Sequence, residues 1–165
     1  MTKLTIHQAT NDDLPRIMQV IAEAKQIMVD SGNVNQWING YPSSEVITAD
    51  IAAGVGFVVR DNETIVGYFA MIPSPEPTYS YIEGGEWLDD TSPYLVVHRI
   101  ASTPTTHGIF AAIMDYCFSQ CNNVRIDTHH DNTIMQHNLK KHAFTYCGII
   151  YLTNGHQRLA FQKLI

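Results

Sequence analysis

The sequence predicts a single α/β domain, of the α+β kind, built on a mixed sheet. Three observations carry this reading. Segments of strand-like and helix-like periodicity follow one another in the order β-α-α-β-β-β-α-β-α-β-β. One strand, a crossover of about twenty residues with a helical pattern, and a second strand form a βαβ unit, so those two strands should be parallel. Two further strand pairs are joined by short turn signals and read as antiparallel hairpins. The 165 residues suit one domain over 1–165, and no repeat, low-complexity tract or linker divides them.

The elements follow in chain order. Residues 3–9 alternate polar and apolar side chains, as a strand does. Thr10, Asn11, Asp12 and Asp13 supply capping oxygens and first-turn acids for a helix with Leu14, Ile17, Met18, Ile21, Ala24 and Met28 on one face. Asp30-Ser31-Gly32 ends it. Ser43 or Ser44 caps a second helix, which Gly54 stops. Residues 56–60 and 64–73 form a hairpin about Asp61-Asn62-Glu63. A long connection over 74–93 follows, with a strand-like pattern at 78–82. Residues 94–102 and 124–128 are the strands of the βαβ unit, and 108–121 is its helix, burying Ile109, Phe110, Ile113, Met114 and Cys117. Asp131 caps a last helix with Ile134, Met135, Leu139 and His142 in register. Residues 144–152 and 158–164 pair through Asn154-Gly155.

Composition narrows the function classes. Ten Lys and Arg against sixteen Asp and Glu leave a net charge of −6. No basic face is supplied for nucleic acid, an acidic membrane surface is disfavoured, and no apolar run is long enough to span a bilayer. Residues 1–8 lack a signal-peptide core. Cys117, Cys121 and Cys147 are odd in number and read as reduced thiols of a cytoplasmic protein. A metal is not expected. The densest group is His129-His130-Asp131 with His137, and adjacent histidines at a strand end should point to opposite sides.

Several segments together resemble the GNAT acetyltransferases over almost the whole chain: Ile6-His7-Gln8-Ala9-Thr10 with Asp13-Leu14 and Ile17, then Val97-His98-Arg99-Ile100-Ala101, His107-Gly108-Ile109, Asp131-Asn132 and Ala143-Phe144. Gln36-Trp37, Gly40-Tyr41-Pro42, Gly84-Gly85 and Trp87-Leu88 resemble a bacterial branch of that family. The resemblance implies helices on both faces of the sheet and a parallel strand pair that splays apart. It implies acetyl-CoA as acyl donor and no metal. The pantetheine arm would enter the gap along Ile100, Ala101 and Ser102, with Asn132 on its flank. The pyrophosphate would sit at a helix N-terminus built from Thr105, Thr106, His107, Gly108, Ile109 and Phe110, where unpaired amides and the helix dipole favour anions. The chain departs from the family pattern in three places. Thr105 stands where Gln or Arg is usual, Phe110 where Gly or Ala is usual, and Leu139 where a Tyr often protonates the leaving thiolate.

Acylation of an amine needs a base, because an alkyl ammonium titrates near 10 and has no free lone pair. It also needs a hydrogen-bond donor for the developing oxyanion and an acid for the thiolate. His98 is the first candidate base, and a histidine that merely hydrogen-bonds within the sheet is the competing reading. His129 comes next, and Glu83 acting through a water third. Tyr146 and Tyr151 are the phenols available as acid, and backbone amide near Ile100 or Ala101 the oxyanion donor. Trp37, Tyr41 and Trp87 can line an acceptor pocket, or be core anchors. Glu76, Glu83, Glu86, Asp89 and Asp90 make the 74–92 connection acidic, either to attract a cation or as a solvated surface. The acceptor is then a small-molecule amine or a peptide. A homodimer through the last antiparallel strands is open. Two other classes remain: a GNAT-fold module that binds a ligand without turnover, and a cysteine hydrolase using Cys147, whose apolar strand argues for an inert thiol.

Overall fold

A computed structural model describes residues 3–165. Met1 and Thr2, part of the N-terminal segment read above, lie outside the described residues. The strands are β1 (Leu4–Gln8), β2 (Gly56–Asp61), β3 (Thr64–Pro73), β4 (Leu95–Ser102), β5 (Asn123–Thr128), β6 (Thr145–Tyr151) and β7 (Gln157–Leu164). The helices are α1 (Leu14–Asp30), α2 (Ser44–Ala52), α3 (Ile109–Gln120) and α4 (Thr133–Lys141). One sheet runs in the order β1-β2-β3-β4-β5-β7-β6. Its strand pairs are antiparallel except β4 with β5, the pair expected to be parallel.

The period-2 alternation of β2 and β3 sorts their side chains onto the two faces. Phe57 and Phe69 stack at 5.4 Å and join Ile113, Met114, Cys117 and Leu139 of α3 and α4 in one core. Val58 and Tyr68 point the other way, into a second core with Ile17, Val20 and Ile21 of α1 and Ile47 of α2. The sheet is therefore covered on both faces. α1 is entered through a 3-10 turn at Asn11–Asp13 with a reciprocal cap between Thr10 and Asp13. Ser43 caps α2 by accepting from the Val46 amide. α4 is capped by Asn132, whose Oδ1 accepts from the Met135 amide at 2.9 Å, rather than by the expected Asp131. Asp131 instead turns its carboxylate toward His129 and His130. Ile134 is 46% exposed on α4, so it does not share the buried face of Leu139.

The 74–94 connection forms a strap across the face opposite α3. Its ends are tied by the Ser74 amide donating to the Tyr94 carbonyl at 2.9 Å. Residues 78–82 are not the strand expected. Pro75 and Pro77 remove two amide donors, and Glu76 caps a 3-10 turn at Pro77–Tyr79 instead. Glu83 then forms one bridge with Ile149 at the edge of β6. The strap is laid down closely at Gly85, where an added Cβ would fall 2.0 Å from the Cys147 carbonyl oxygen. Beneath it Tyr79 and Trp87 pack on Val96, Ile150 and Ala160.

Trp87 is thereby an anchor of the strap, not a pocket wall. Arg125 lies 3.9 Å from the ring centroids of both Trp87 and Tyr94, and donates to the Asp89 carbonyl at 2.8 Å. The acids of the strap are spent separately. Asp90 pairs with Arg125, Asp89 accepts from the Thr91 and Ser92 amides, and Glu83 accepts from Tyr151. They do not form one cation-attracting patch. Among the described residues no helix is long and apolar enough to cross a membrane.

Candidate active site

β4 pairs with β5 only at Leu95↔Val124 and Val96↔Arg125, after which the two strands separate. The resulting gap is a groove of about 100 Å³ lined by Ile100, Ser102, Ile109, Phe110, Asn132 and Met135. A throat of about 40 Å³ continues it past Arg99, Ile100, Asp127 and Asn132. Arg99 and Asp127 also line the next volume, a cavity of about 480 Å³ with Trp37, Tyr41, Glu76 and His98 on its walls. Shared lining residues set these three volumes in succession from the N-terminus of α3, along the splayed strands, to His98.

On its other edge β4 meets β3 across a bulge, in which Arg99 and Ile100 together face Phe69. Arg99 has φ +56°, a left-handed conformation that a long side chain adopts only when its surroundings hold it there. What holds it is Asp50 of α2. Arg99 Nε and Nη2 donate to the Asp50 carboxylate at 2.9 and 2.6 Å, and Tyr68 Oη donates to Asp50 Oδ2 at 2.6 Å. Nη1 donates to Tyr41 Oη at 3.0 Å, which fixes the cavity wall to the bulge. Burial opposes the Arg99 charge, but the bonds to Asp50 and Tyr41 outweigh it and raise its pKa above the usual value. Burial, and then Asp50, push the Tyr68 phenol up.

His98 sits between two carboxylates. Its Nε2 is 3.8 Å from Glu76 Oε2 and its Nδ1 is 3.8 Å from Asp127 Oδ2. Each carboxylate has a further partner. The Glu76 carboxylate accepts from the Thr78 hydroxyl at 2.8 Å, and Asp127 from Tyr79 Oη at 2.6 Å. The neighbouring His98, then the Thr78 hydroxyl and amide, hold the Glu76 carboxyl down at about 2 against the opposing effect of burial. Burial, then Asp127, push the Tyr79 phenol far up, so it stays a donor. A histidine so placed presents its ring to the cavity between two carboxylates. The carboxylates can also draw in a cation.

This arrangement makes acid stability depend on Glu76. Its carboxyl titrates lower in the folded chain than when unfolded, so the stabilisation is complete above the ordinary value of 4.5 and fades as pH falls toward about 2. Urea midpoints measured across that window should fall more steeply for the native chain than for Glu76→Gln. Parallel curves would show that Glu76 is not held by His98 and Thr78.

The structure brings together some of the residues picked from sequence and separates others. His98, Trp37 and Tyr41 line the large cavity, and Ile100, Ser102, Ile109, Phe110 and Asn132 the groove. Asn132 Nδ2 also donates to Gln36 Oε1 at 2.9 Å, joining α4 to the 33–43 loop. Gly108, with φ +81° and nothing within 4 Å of an added Cβ, leaves the N-terminus of α3 approachable. Thr105 and Thr106 do not line the groove; they border a shallow depression with Arg16, Asp61 and Thr64. His107 is exposed beside them. Ala101 is 2% exposed and paired with Tyr68.

Tyr146 is half exposed and meets Phe161 edge-on, outside the cavity. Glu83 and Tyr151 bond each other at the β6 edge, also outside it. His129 is 7% exposed, and its Nδ1 accepts from the Asp131 amide at 3.0 Å. Burial, then Arg158 and His130, lower its pKa. Its ring stacks on His130 at 4.3 Å, so the adjacent histidines do not point to opposite sides. They lie past the end of β5, where strand alternation no longer applies. With Asp131 they place three donor atoms within 4.8 Å, but the Nδ1 of His129 is already engaged. The Cys147 thiol is 4% exposed and raised by burial, and Cys117 is pushed up to about 12 by the same cause, which suits inert thiols.

Sequence reading missed Glu76 as a partner of His98, and missed Asp50, Arg99, Asp127 and Arg158. The first was visible only as one of five acids. The others were ordinary charged residues in strands and a helix; a charge inside an apolar strand, as at Asp127, was the one available signal.

No family profile matches the chain, and no curated protein matches it. Solved structures do. A GNAT-family acetyltransferase from Streptococcus agalactiae is 32% identical, with 100% of this chain and 98% of that one covered and a TM-score of 0.90. A putative acetyltransferase from Staphylococcus aureus is 21% identical over 97% and 98% of the two chains, with a TM-score of 0.70. A GNAT-family acetyltransferase from Listeria monocytogenes is 15% identical over 98% and 95%, with a TM-score of 0.71. The last two speak for the fold alone.

Proposed function

The chain belongs to the GNAT acetyltransferase family, and on that footing we propose that it is an acetyl-CoA-dependent N-acetyltransferase acting on a primary amine of a small molecule or peptide. The observation that carries this reading is the succession of adjoining volumes from the α3 N-terminus, between β4 and β5, to His98 and its two carboxylates. The groove suits the donor: its floor is the unpaired edge of β4, and its far end meets free amides at the start of α3. Bound acetyl-CoA would supply an acyl group activated as a thioester.

The chain's own residues would do the rest. Backbone at Ile100 and Ser102 would hold the pantetheine arm, with Asn132 across the gap. The amides of Ile109 and Phe110 would hold pyrophosphate, and the bare Gly108 would let it approach. Ile100 stands outside the β3 register, so its amide is the natural oxyanion donor. Glu76 and Asp127 would draw the acceptor ammonium in, and His98 would take its proton and keep it between them. Tyr41 accepts from Arg99 and so has its own proton to give. It replaces Tyr146 as the candidate acid for the thiolate. Free cysteines at 117, 121 and 147 accord with a cytoplasmic protein.

The departure at Thr105 favours one competing reading, a GNAT-fold module without turnover. Calorimetric titration with acetyl-CoA, followed by thiol release in the presence of an amine panel, separates the two. Micromolar binding with turnover is the expected result. Absence of binding at millimolar acetyl-CoA would remove the donor and with it the enzyme.

A further inference from the structure

The large cavity contains a buried cation that no carboxylate of the described residues contacts. Arg158 of β7 is 6% exposed and lines the cavity. Its hydrogen bonds among the described residues go to two neutral backbone carbonyls, Gln157 at 2.9 Å and Gln36 at 3.5 Å. No carboxylate of the described residues lies within 4.0 Å of it. Two other guanidiniums, one buried and one partly buried, are treated differently. Arg99 is gripped by Asp50, and Arg125 is stacked against Trp87 and Tyr94 and paired with Asp90. An arginine cannot discard its charge, and burial outweighs the distant pull of Asp127 on Arg158, so an anion arriving in the cavity would relieve the cost. Its planar fork matches a carboxylate in particular.

The same cavity is acidic at its other end, where Glu76 and Asp127 flank His98. Asp127 faces Ala160 in the β5–β7 register, and Arg158 is two residues from Ala160 on the same face. Strand spacing and rise put the Asp127 and Arg158 backbones about 8 Å apart. An acidic end and a basic end at that separation form the complement of a small zwitterion. Resting on the acetyltransferase reading, we propose that the acceptor is a small amino acid, its carboxylate held by Arg158 and its amine delivered to His98 between Glu76 and Asp127. In the transfer, the amine nitrogen, having given one proton to His98, forms the new C–N bond. The thioester C–S bond breaks, Tyr41 protonates the departing sulfur so that it leaves as thiol, and the second proton lost by the nitrogen returns to the Tyr41 oxygen.

The test pairs each of the common α-amino acids with its own carboxamide, as acceptors with acetyl-CoA and as ligands in thermal unfolding without it. At least one amino acid should be acetylated with kcat/KM about 10- to 100-fold above its amide, the range expected for one charge-assisted contact. That acid should also raise the melting temperature, and the amide should not. Arg158→Ala should erase both differences, chiefly through KM, and Arg158→Lys should restore part of each. Arg158→Gln, which can still donate to the Gln36 carbonyl, serves if the alanine variant does not fold. Equal use of acids and amides, with no response to Arg158 replacement, would overturn the carboxylate anchor while leaving the enzyme an acetyltransferase. Failure of all acetyl transfer would instead strike the enzymatic reading. The unfolding shift, with and without Arg158, would still decide the anchor.

Discussion

Replacing His98 by alanine is expected to lower kcat/KM for acetyl transfer by about 10²- to 10⁴-fold, the usual contribution of a positioned general base. In free energy this is about 3–5 kcal/mol of barrier. The loss should appear mainly in kcat, because His98 would act on the proton of an acceptor that other groups bind. Acetyl-CoA affinity should stay within a few-fold, since the groove of Ile100, Ser102 and Phe110 does not include His98. Steady-state kinetics together with calorimetry of acetyl-CoA would check both halves. Unchanged turnover would return His98 to a purely structural place between its carboxylates. A loss confined to acetyl-CoA affinity would move it out of proton transfer and into donor binding.

Asp50→Ala should be the most damaging single change to stability outside the hydrophobic cores. The carboxylate is 6% exposed and accepts from Tyr68 and from two nitrogens of Arg99. Removing it strands a largely buried guanidinium and a fully buried phenol together, and breaking a buried pair from one side typically costs about 3–5 kcal/mol. For a domain of this size the melting temperature should fall by roughly 6–20 °C. The effect should also reach the site. Arg99 is held at positive φ by this carboxylate, and the adjacent Ile100 lines both the groove and the throat. Chemical denaturation would measure the first effect and acetyl-CoA binding the second. A loss below about 1 kcal/mol would mean that water replaces Asp50 without difficulty.

Local patterns carried most of the secondary structure. The β-branched and aromatic runs of β2 and β3, the apolar stripe of α1, the serine cap of α2 and the turn before Thr64 each depend on residues a few positions apart, which is why they could be read directly. The readings that failed were local motifs overruled by something distant or by one missing donor. The strand-like 78–82 segment gave way to the prolines before it and to the single bridge at Ile149. Trp87, an apt pocket wall on composition, was taken by Arg125 from a strand far along the chain.

The site divides the same way. His98 could be singled out because the strand that carries it resembles a known acyl-binding strand, and Trp37 and Tyr41 because aromatic residues suit a pocket. Nothing near them in sequence names Glu76, Asp127 or Arg158 as their neighbours. Those three come from the strap, from β5 and from β7, and the sheet order β4-β5-β7 sets them side by side. Chain chemistry was thus enough for the element order, the parallel βαβ pair and the family resemblance, because periodicity and capping act over one or two turns or strand repeats. The bulge at Arg99, the grip of Asp50, the carboxylates about His98 and the unpaired charge of Arg158 arose only on folding, because strand register and the splaying of β4 from β5 decide which distant charges share one buried volume.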